Sequence, residues 1–474
     1  MKTVITGKDL LEAGFTEGPV IGFALTVLEK NELGIEPEAL HALLKKLRDY
    51  PEEFLDDPIL GSVAQKLVEE ADAPADETIA LKPNGEAYAV YGEDFIETGA
   101  RLQMNIAMQL PVTMGGALMP DAHQGYGLPI GGVLATKNAV IPYGVGVDIG
   151  CRMALSIYDI PETHFNENLS KYKRELIAQT QFGAGAGFKG NHRSAHEVLE
   201  NDLFNTIPFI ASLKDKAWTQ LGSSGGGNHF VEFGVISFAE DNALAGIAKG
   251  RYLALLTHSG SRGMGATIAG HYTKLAKELC KLPAEAVNLA YLPLDTDAGR
   301  EYWAAMNLSG DYASACHEII HAKMAKAIGA NLLAKVENHH NFAWKENWKG
   351  EEVIVHRKGA TPAAKGVLGI IPGSMTAPGF LVRGKGEEDA IQSASHGAGR
   401  QMSRTQASKS ISKEAMRAVL KANDVMLIGA GLDEAPMAYK DIHQVMAAQT
   451  DLVETLATFT PRMVRMAADG SRED

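Results

Sequence analysis

From residue 80 to residue 474, short apolar runs alternate with glycine-dense loops, and this alternation limits the fold more than any other feature of the chain. AYAVYG (87–92), GVLAT (132–136), EVIVH (352–356) and GVLGIIP (366–372) are strand-length segments flanked by turn residues. ETHFNENLSKYKRELIAQ (162–179) and YASACHEIIHAKMAKAIGANLLAKV (312–336) read as helices. Strands and helices mixed without a regular βαβ rhythm predict one large α+β domain over 80–474, with function carried on loops. No fixed-period repeat or low-complexity tract interrupts it.

The first part of the chain differs. GKDLLEAG, IGFALTVLEK, PEALHALLKKLRDY and ILGSVAQKLVEEA carry helical apolar spacing, with turn signals at Gly18-Pro19 and Tyr50-Pro51. They predict an acidic helical extension over 1–75, with ADAPADE (71–77) as its linker. Residues 1–80 hold 7 Lys or Arg against 17 Asp or Glu, whereas the remaining residues hold 38 against 41. The net charge of −13 therefore lies mostly in the extension, and the nearly neutral body leaves room for a local basic surface that meets a polyanion.

Three cysteines are too few for a disulfide framework, and the first thirty residues lack the apolar core of a secretion signal. No apolar run reaches membrane-spanning length; MLIGAGL and YLALL are strand-sized. The expectation is a cytoplasmic protein without a membrane partner.

Histidine recurs in one local setting, beside glycine in small polar loops. MPDAHQGYG carries His123, GSSGGGNHF His229, LLTHSGSRG His258, ENHHNFA His339 and His340, and SASHGAGR His396. A structural role is the alternative for any one of them, but several in one domain read as a metal or phosphate site, because glycine lets backbone amides approach a bound group. VDIGCRM adds Asp148 and Cys151, three positions apart, so that one turn can aim a carboxylate and a thiolate at one point. A thiolate can bridge two cations, and the mixed O, N and S donors suit Mn, Fe, Co or Zn. The alternative is a buried cysteine beside a turn-capping aspartate. GFLVRGKG (379–386) has Walker A spacing but places Gly386 where Ser or Thr must hold Mg²⁺, and neither GYGLPIGG nor GMGATIAG has dinucleotide-fingerprint spacing.

Taken in order from about residue 100 to AYKDI (438–442), MPDAHQGYGLPIGGV, GVGVDIGC, GGGNHFVE, HSGSRGMG, HNFA, HRKGATPA, IPGSM and SHGAGRQMSR resemble the RtcB RNA ligase family. The extension lies outside this resemblance; ITGKDLLEAGFTEGPVIG is faintly similar to a helical segment of CCA-adding enzymes. The family resemblance implies a GTP- and Mn²⁺-dependent ligase that joins an RNA 2′,3′-cyclic phosphate or 3′-phosphate end to a 5′-hydroxyl end, in RNA repair or tRNA splicing. It places a guanylylated nucleophile at His396. It assigns two Mn²⁺ ions to Asp148, Cys151, His229, His258 and His340, with Cys151 bridging. Asp148 and His229 complete one ion, and His258 and His340 the other.

The resemblance assigns nucleotide contacts to Asn228, Phe230, Glu232, Asn341, Pro372, Gly373, Ser374, Met375, Gly397, Ala398, Gly399 and Lys440. A carboxylate such as Glu232 can accept two hydrogens from the guanine edge, and adenine presents no matching donors. Arg400 and Arg404 are candidates for RNA phosphate contacts, Asp121 and His123 for the RNA-end pocket, and an activating protein for a further partner. The chain departs from the usual family pattern at Gly150, where Asn is usual, at Arg152, where Gly is usual, and at Gly379, where a nucleotide-contacting Ser often stands; these positions bear on substrate choice. The competing functions are a dimetal RNA-end phosphoesterase and a non-ligating RNA-binding paralogue.

Overall fold

The computed structural model describes residues 5–15, 19–30, 37–72, 78–241 and 247–468. The chain forms two compact units, Met1–Thr78 and Ile79–Asp474. The first contains helices Gly7–Glu12, Pro19–Lys30, Pro37–Asp49 and Gly61–Asp72. The Thr6 hydroxyl accepts the Asp9 N–H while the Asp9 carboxylate returns to the Thr6 N–H, a reciprocal cap that starts the first helix. Leu40, Leu44 and Leu47 recur at helical spacing and are buried with Leu10, Ala24 and Val63. Gly18 and most of the 71–77 linker lie outside the described residues.

The second unit mixes helices with two principal sheets, an α+β fold. One sheet has the order Ala89–Val90, Thr113–Tyr126, Leu128–Thr136, Glu351–Lys358, Asn341–Trp348. The other runs Leu368–Ile371, Gly379–Gly384, Val453–Ala468, Phe230–Phe238, Gly250–Ser259, Arg152–Pro161, Leu332–His339, with Met426–Ala430 added in parallel to Val453–Ala468. The Asn338 side chain joins the two ends of this sheet: its Oδ1 accepts the Ile370 N–H at 2.9 Å and its Nδ2 donates to the Ile370 carbonyl at 3.3 Å. Leu332–His339 leads directly into Asn341–Trp348, so the chain steps from one sheet to the other at His340.

Two sequence expectations need correction. The helix expected through Val336 is Asp297–Ile328; it stops at Gly329, whose φ of 71° caps it in the left-handed region, and Leu332–His339 is a strand. Its true start is fifteen residues earlier than 312, where the Thr296 side chain accepts the Gly299 N–H. The stretch 162–179 is two helices, Glu162–Glu167 and Leu169–Gln179, separated at Asn168. No helix among the described residues is long and apolar enough to cross a membrane.

Candidate active site

Four neighbouring strands of the larger sheet end at one edge, and each end carries a candidate ligand. His229 precedes Phe230–Phe238, His258 lies within Gly250–Ser259, Cys151 precedes Arg152–Pro161, and His340 follows Leu332–His339. The antiparallel register opposes Phe230 and Met153 to His258, and Arg152 to His339, so all four positions stand at the same level. Cys151 Sγ lies 3.1 Å from His258 Nε2 and 3.5 Å from His229 Nε2; His258 Nε2 is 3.2 Å from His340 Nε2. Asp148 enters from the preceding turn, its Oδ2 2.9 Å from His229 Nε2 and its Oδ1 accepting the Ser261 N–H at 3.1 Å.

The donor atoms form two groups, Asp148–Cys151–His229 and Cys151–His258–His340, each within 4.8 Å and sharing the thiol. This donor chemistry fits a pair of transition-metal ions. His258 Nδ1 faces the Asn228 carbonyl at 3.0 Å; a carbonyl only accepts, so Nδ1 bears the proton and the Nε2 lone pair points into the cluster. Burial, then repulsion from Asp148, pushes the Cys151 thiol well above its ordinary range. Burial likewise holds His258 and His340 well below theirs, so both rings stay neutral and keep lone pairs for a cation.

A hydrogen-bond chain supports this edge from beneath. His317 Nε2 is 3.1 Å from the Ser259 carbonyl and must donate to it, so its Nδ1 accepts the Thr257 hydroxyl at 2.5 Å. Thr257 Oγ1 then accepts from His321 Nε2 at 2.8 Å, and His321 Nδ1 accepts from Ser156 Oγ at 2.6 Å. Each member is buried, and the Thr257 hydroxyl has the Ala154 carbonyl, at 3.4 Å, as a longer second acceptor.

His396 follows the short strand Ser393–Ser395. Its ring centroid is 5.0 Å from that of His340. Asp121, fully buried, directs Oδ2 to His396 Nδ1 at 2.6 Å, to the His396 N–H at 3.1 Å and to the Gly397 N–H at 3.3 Å. Burial raises the Asp121 carboxyl, but His396, Lys440 and His123 together bring it below its usual range, so Asp121 is the anion and Nδ1 carries hydrogen. Nε2 is the nitrogen that a neutral ring held this way would offer as a nucleophile. Gly399, with a φ of 73°, lies so close to the Asp121 carbonyl that a Cβ would collide with it.

A cavity of about 460 Å³ joins these groups. Asp148, Cys151, His229, His258, His340 and His396 all line it. So do Asn228, Phe230, Glu232, Asn341, Pro372, Gly373, Ser374, Met375, Gly397, Ala398 and Gly399. Glu232 is 3% exposed, and burial raises its carboxyl well above the usual range. Gly379 and His123 also belong to the wall, and burial lowers the His123 ring to about 4.

Lys440 is placed elsewhere. Its ammonium donates to the carbonyls of Ala122 at 2.7 Å and Pro120 at 3.3 Å, flanking Asp121 rather than lining the cavity. Arg400 and Arg404 do line it, but Asp433 and Glu434 engage their guanidinium groups: Arg400 donates to the Asp433 carbonyl at 2.6 Å and Arg404 to Asp433 Oδ2 at 2.7 Å. His339 stacks on Trp344 with centroids 4.9 Å apart, outside the cavity wall.

Two groups at this site were not singled out by sequence reasoning for the positions they hold. Asp121 was a candidate for the RNA-end pocket, and the structure instead sets it behind His396. Lys358, inside the quoted run HRKGATPA, lines the cavity, donates to the carbonyls of Tyr126 and Tyr143, and is lowered by burial to about 7. Only its place within that run could have pointed to it.

Comparison with known proteins agrees with this geometry. The family profile described as tRNA-splicing ligase RtcB matches residues 103–208 and 208–467. The RNA-splicing ligase RtcB of Escherichia coli K12 is 35% identical over 395 residues, covering 77% of this chain and 93% of that protein. The RNA-splicing ligase RtcB of Mycobacterium tuberculosis is 30% identical over 424 residues, covering 76% and 98%. The tRNA-splicing ligase RtcB of Nanoarchaeum equitans is 29% identical over 426 residues, covering 75% and 89%. With the profile spanning most of the unit that holds the cavity, this chain belongs to the RtcB family.

Proposed function

We propose that this chain is an RNA ligase that joins an RNA 2′,3′-cyclic phosphate or 3′-phosphate end to a 5′-hydroxyl end, with GTP as cosubstrate and two Mn²⁺ ions, in cytoplasmic RNA repair or tRNA splicing. The observation that carries the reading is His396, held at 2.6 Å by the buried Asp121 carboxylate and lining the same cavity as the Asp148, Cys151, His229, His258 and His340 donors. A phosphoesterase would need the donors but not a nucleophile whose second nitrogen is held by a buried carboxylate.

The chemistry follows from the substrate. A 3′-phosphate monoester lacks a leaving group, so joining requires nucleotide activation. His396 Nε2 attacks the α-phosphorus of GTP; an N–P bond forms, the α–β bridging P–O bond breaks, and pyrophosphate leaves. Asp121 holds Nδ1–H and balances the positive charge that grows on the ring. An oxygen of the RNA 3′-phosphate then takes the guanylate and frees His396. Finally the 5′-hydroxyl attacks the RNA phosphorus and GMP departs. A cyclic phosphate is first opened by water, which adds to phosphorus as the P–O2′ bond breaks, leaving a 2′-hydroxyl and the 3′-phosphate. Asp148, Cys151, His229, His258 and His340 would hold the ions, which supply positive charge to phosphoryl oxygens when bound. Glu232 selects guanine by accepting from its edge, and Phe230 and the 372–375 turn enclose the nucleotide.

Incubation with α-labelled GTP and Mn²⁺ followed by denaturing electrophoresis tests the reading. An acid-labile label on the protein that vanishes in His396→Ala is the expected result. Label that persists in the variant would reject His396 as the nucleophile.

A further inference from the structure

The mouth of the cavity carries two tyrosines that the ligation chemistry leaves unused. Tyr126 ends the strand Thr113–Tyr126 beside the left-handed Gly127 and is 69% exposed. Tyr143 sits in the short helix Pro142–Val145, and the two ring centroids are 6.3 Å apart at a tilt of 37°. Lys358 fastens both supports: Nζ donates to the Tyr126 carbonyl at 2.6 Å and the Tyr143 carbonyl at 3.1 Å, and lies 4.9 Å from the Tyr143 ring. Lys277, which also donates to Asn288, places its ammonium 5.7 Å from the same ring.

These groups connect two concavities. Tyr143 and Val147 belong to the wall of the catalytic cavity and also to a groove along helix Arg262–Leu279, where Lys274 and Lys277 stand. Val147 is 42% exposed and adjoins Asp148, so the trough begins at the ligand cluster and leaves over the tyrosine pair. The groove holds Lys274 and Lys277 against Glu278, which pairs with Lys274 at 3.8 Å; Lys358 lies buried between the tyrosine supports, and Asp148 stands at the inner end. Aromatic faces held in place beside the ammonium groups of Lys274 and Lys277 match a strand that offers bare bases and phosphates. An apolar peptide would strand those charges.

We propose that this trough binds the last nucleotides of a single-stranded RNA end, with Tyr126 and Tyr143 stacking on bases and Lys274 and Lys277 meeting phosphates, so that the end enters the cavity over Val147. The proposal rests on the ligase reading for the identity of the substrate, and its test reads binding separately from joining. Gly270 lies on the exposed side of the groove helix, and a Cβ there meets nothing within 4 Å. Gly270→Leu therefore keeps the helix, which prefers leucine to glycine, while filling the groove.

Binding of a fluorescein-labelled single-stranded RNA hexamer with a 3′-phosphate is measured by anisotropy. Base–aromatic stacking predicts that Tyr126→Ala weakens binding roughly tenfold and that Tyr126→Phe stays near the parent. Gly270→Leu weakens it similarly while still accepting label from GTP, a reaction without RNA. Lys277→Ala lowers the salt slope by about one. Parent-like binding by both Tyr126→Ala and Gly270→Leu would overturn the proposal, as would a parent that takes label yet binds no hexamer. A parent that binds the hexamer but takes no label and joins no ends would overturn the ligase reading and leave the trough standing. Loss of self-association in Gly270→Leu with unchanged RNA binding, read by light scattering, would assign the trough to a second copy of the chain.

Discussion

Replacing Asp121 by Asn separates two roles that the wild-type carboxylate combines. Three donors converge on its Oδ2: His396 Nδ1 at 2.6 Å and the backbone N–H groups of His396 and Gly397 at 3.1 and 3.3 Å. An amide nitrogen cannot take that position against two fixed N–H groups, so the Asn oxygen occupies it and Nδ1–H keeps its acceptor. The amide nitrogen falls where Oδ1 now stands, buried without a hydrogen-bond partner, and its unmatched N–H groups cost about 1–3 kcal/mol of stability. Geometry and tautomer survive; the negative charge does not. Attack by Nε2 leaves the ring cationic, and loss of a preorganised charge at this distance removes about 2–4 kcal/mol of transition-state stabilisation. That is a slowing of roughly 30- to 1,000-fold in single-turnover labelling by α-labelled GTP, read by rapid quench. Asp121→Ala also frees the ring and abandons three donors, so it is slower still. Labelling by Asp121→Asn within threefold of the parent would refute the charge argument, and equal losses in Asn and Ala would refute the three-donor geometry.

Cys151 belongs to both donor groups, so Cys151→Ala loses at least one bound metal per chain by elemental analysis; full occupancy in the variant would refute its shared role. Burial raises Glu232, whereas the guanine edge favours its charged form, so GTP binding releases a proton below the raised value and affinity climbs with pH through that range. Calorimetry in buffers of different ionisation enthalpy detects the proton, and Glu232→Gln abolishes it; identical release in the variant would assign the proton to another group. Gly150→Asn puts a Cβ 2.8 Å from the Gly310 Cα and is expected to cost about 1–3 kcal/mol by overpacking, read as a lower denaturant midpoint; an unchanged midpoint would show that the long helix yields freely there.

The parts of the site that sequence reveals are those whose chemistry is local. Asp148 and Cys151 share one turn, each histidine sits beside its glycines, and strand ends in register collect them at one sheet edge. What the sequence hides depends on distant packing. Nothing near Asp121 names a partner 275 positions away, and Lys358 becomes unusual only because the Tyr126 and Tyr143 backbones close over its amine. His317 and His321, one helical turn apart, read as an amphipathic face until the neighbouring strands supply Thr257 and Ser156. The expected helix through Val336 failed for a local reason: Gly329 in the left-handed region ended a pattern whose apolar residues continued at strand spacing.

The departures at Gly150 and Arg152 form one structural unit behind the donors. Gly150, at a φ of 71°, presses against Gly310 of the helix Asp297–Ile328 and donates to the Asn341 carbonyl at 2.7 Å. Arg152 is buried and donates Nε to the Gly150 carbonyl at 3.1 Å and Nη2 to the Gly310 carbonyl at 2.6 Å, while Nη1 pairs with Glu337. Burial opposes ionisation of Glu337, but Arg152 overrides it and lowers the carboxyl to about 2. A side chain at 150 would push this helix away and cut the guanidinium off from both carbonyls, so the small residue and the large one require each other. Arg152 is absent from the cavity wall, and Gly150 is too. Both adjoin the turn that carries Asp148 and Cys151, and neither reaches the space that those two side chains face. Of the three departures, Gly379 alone lines the cavity, and a Cβ there would meet the Pro372 Cα at 3.4 Å, an ordinary contact at the edge of the 372–375 turn. Of the three positions, only Gly379 is therefore placed to bear on what the cavity holds, and the Gly150–Arg152 pair bears on the turn that carries Asp148 and Cys151.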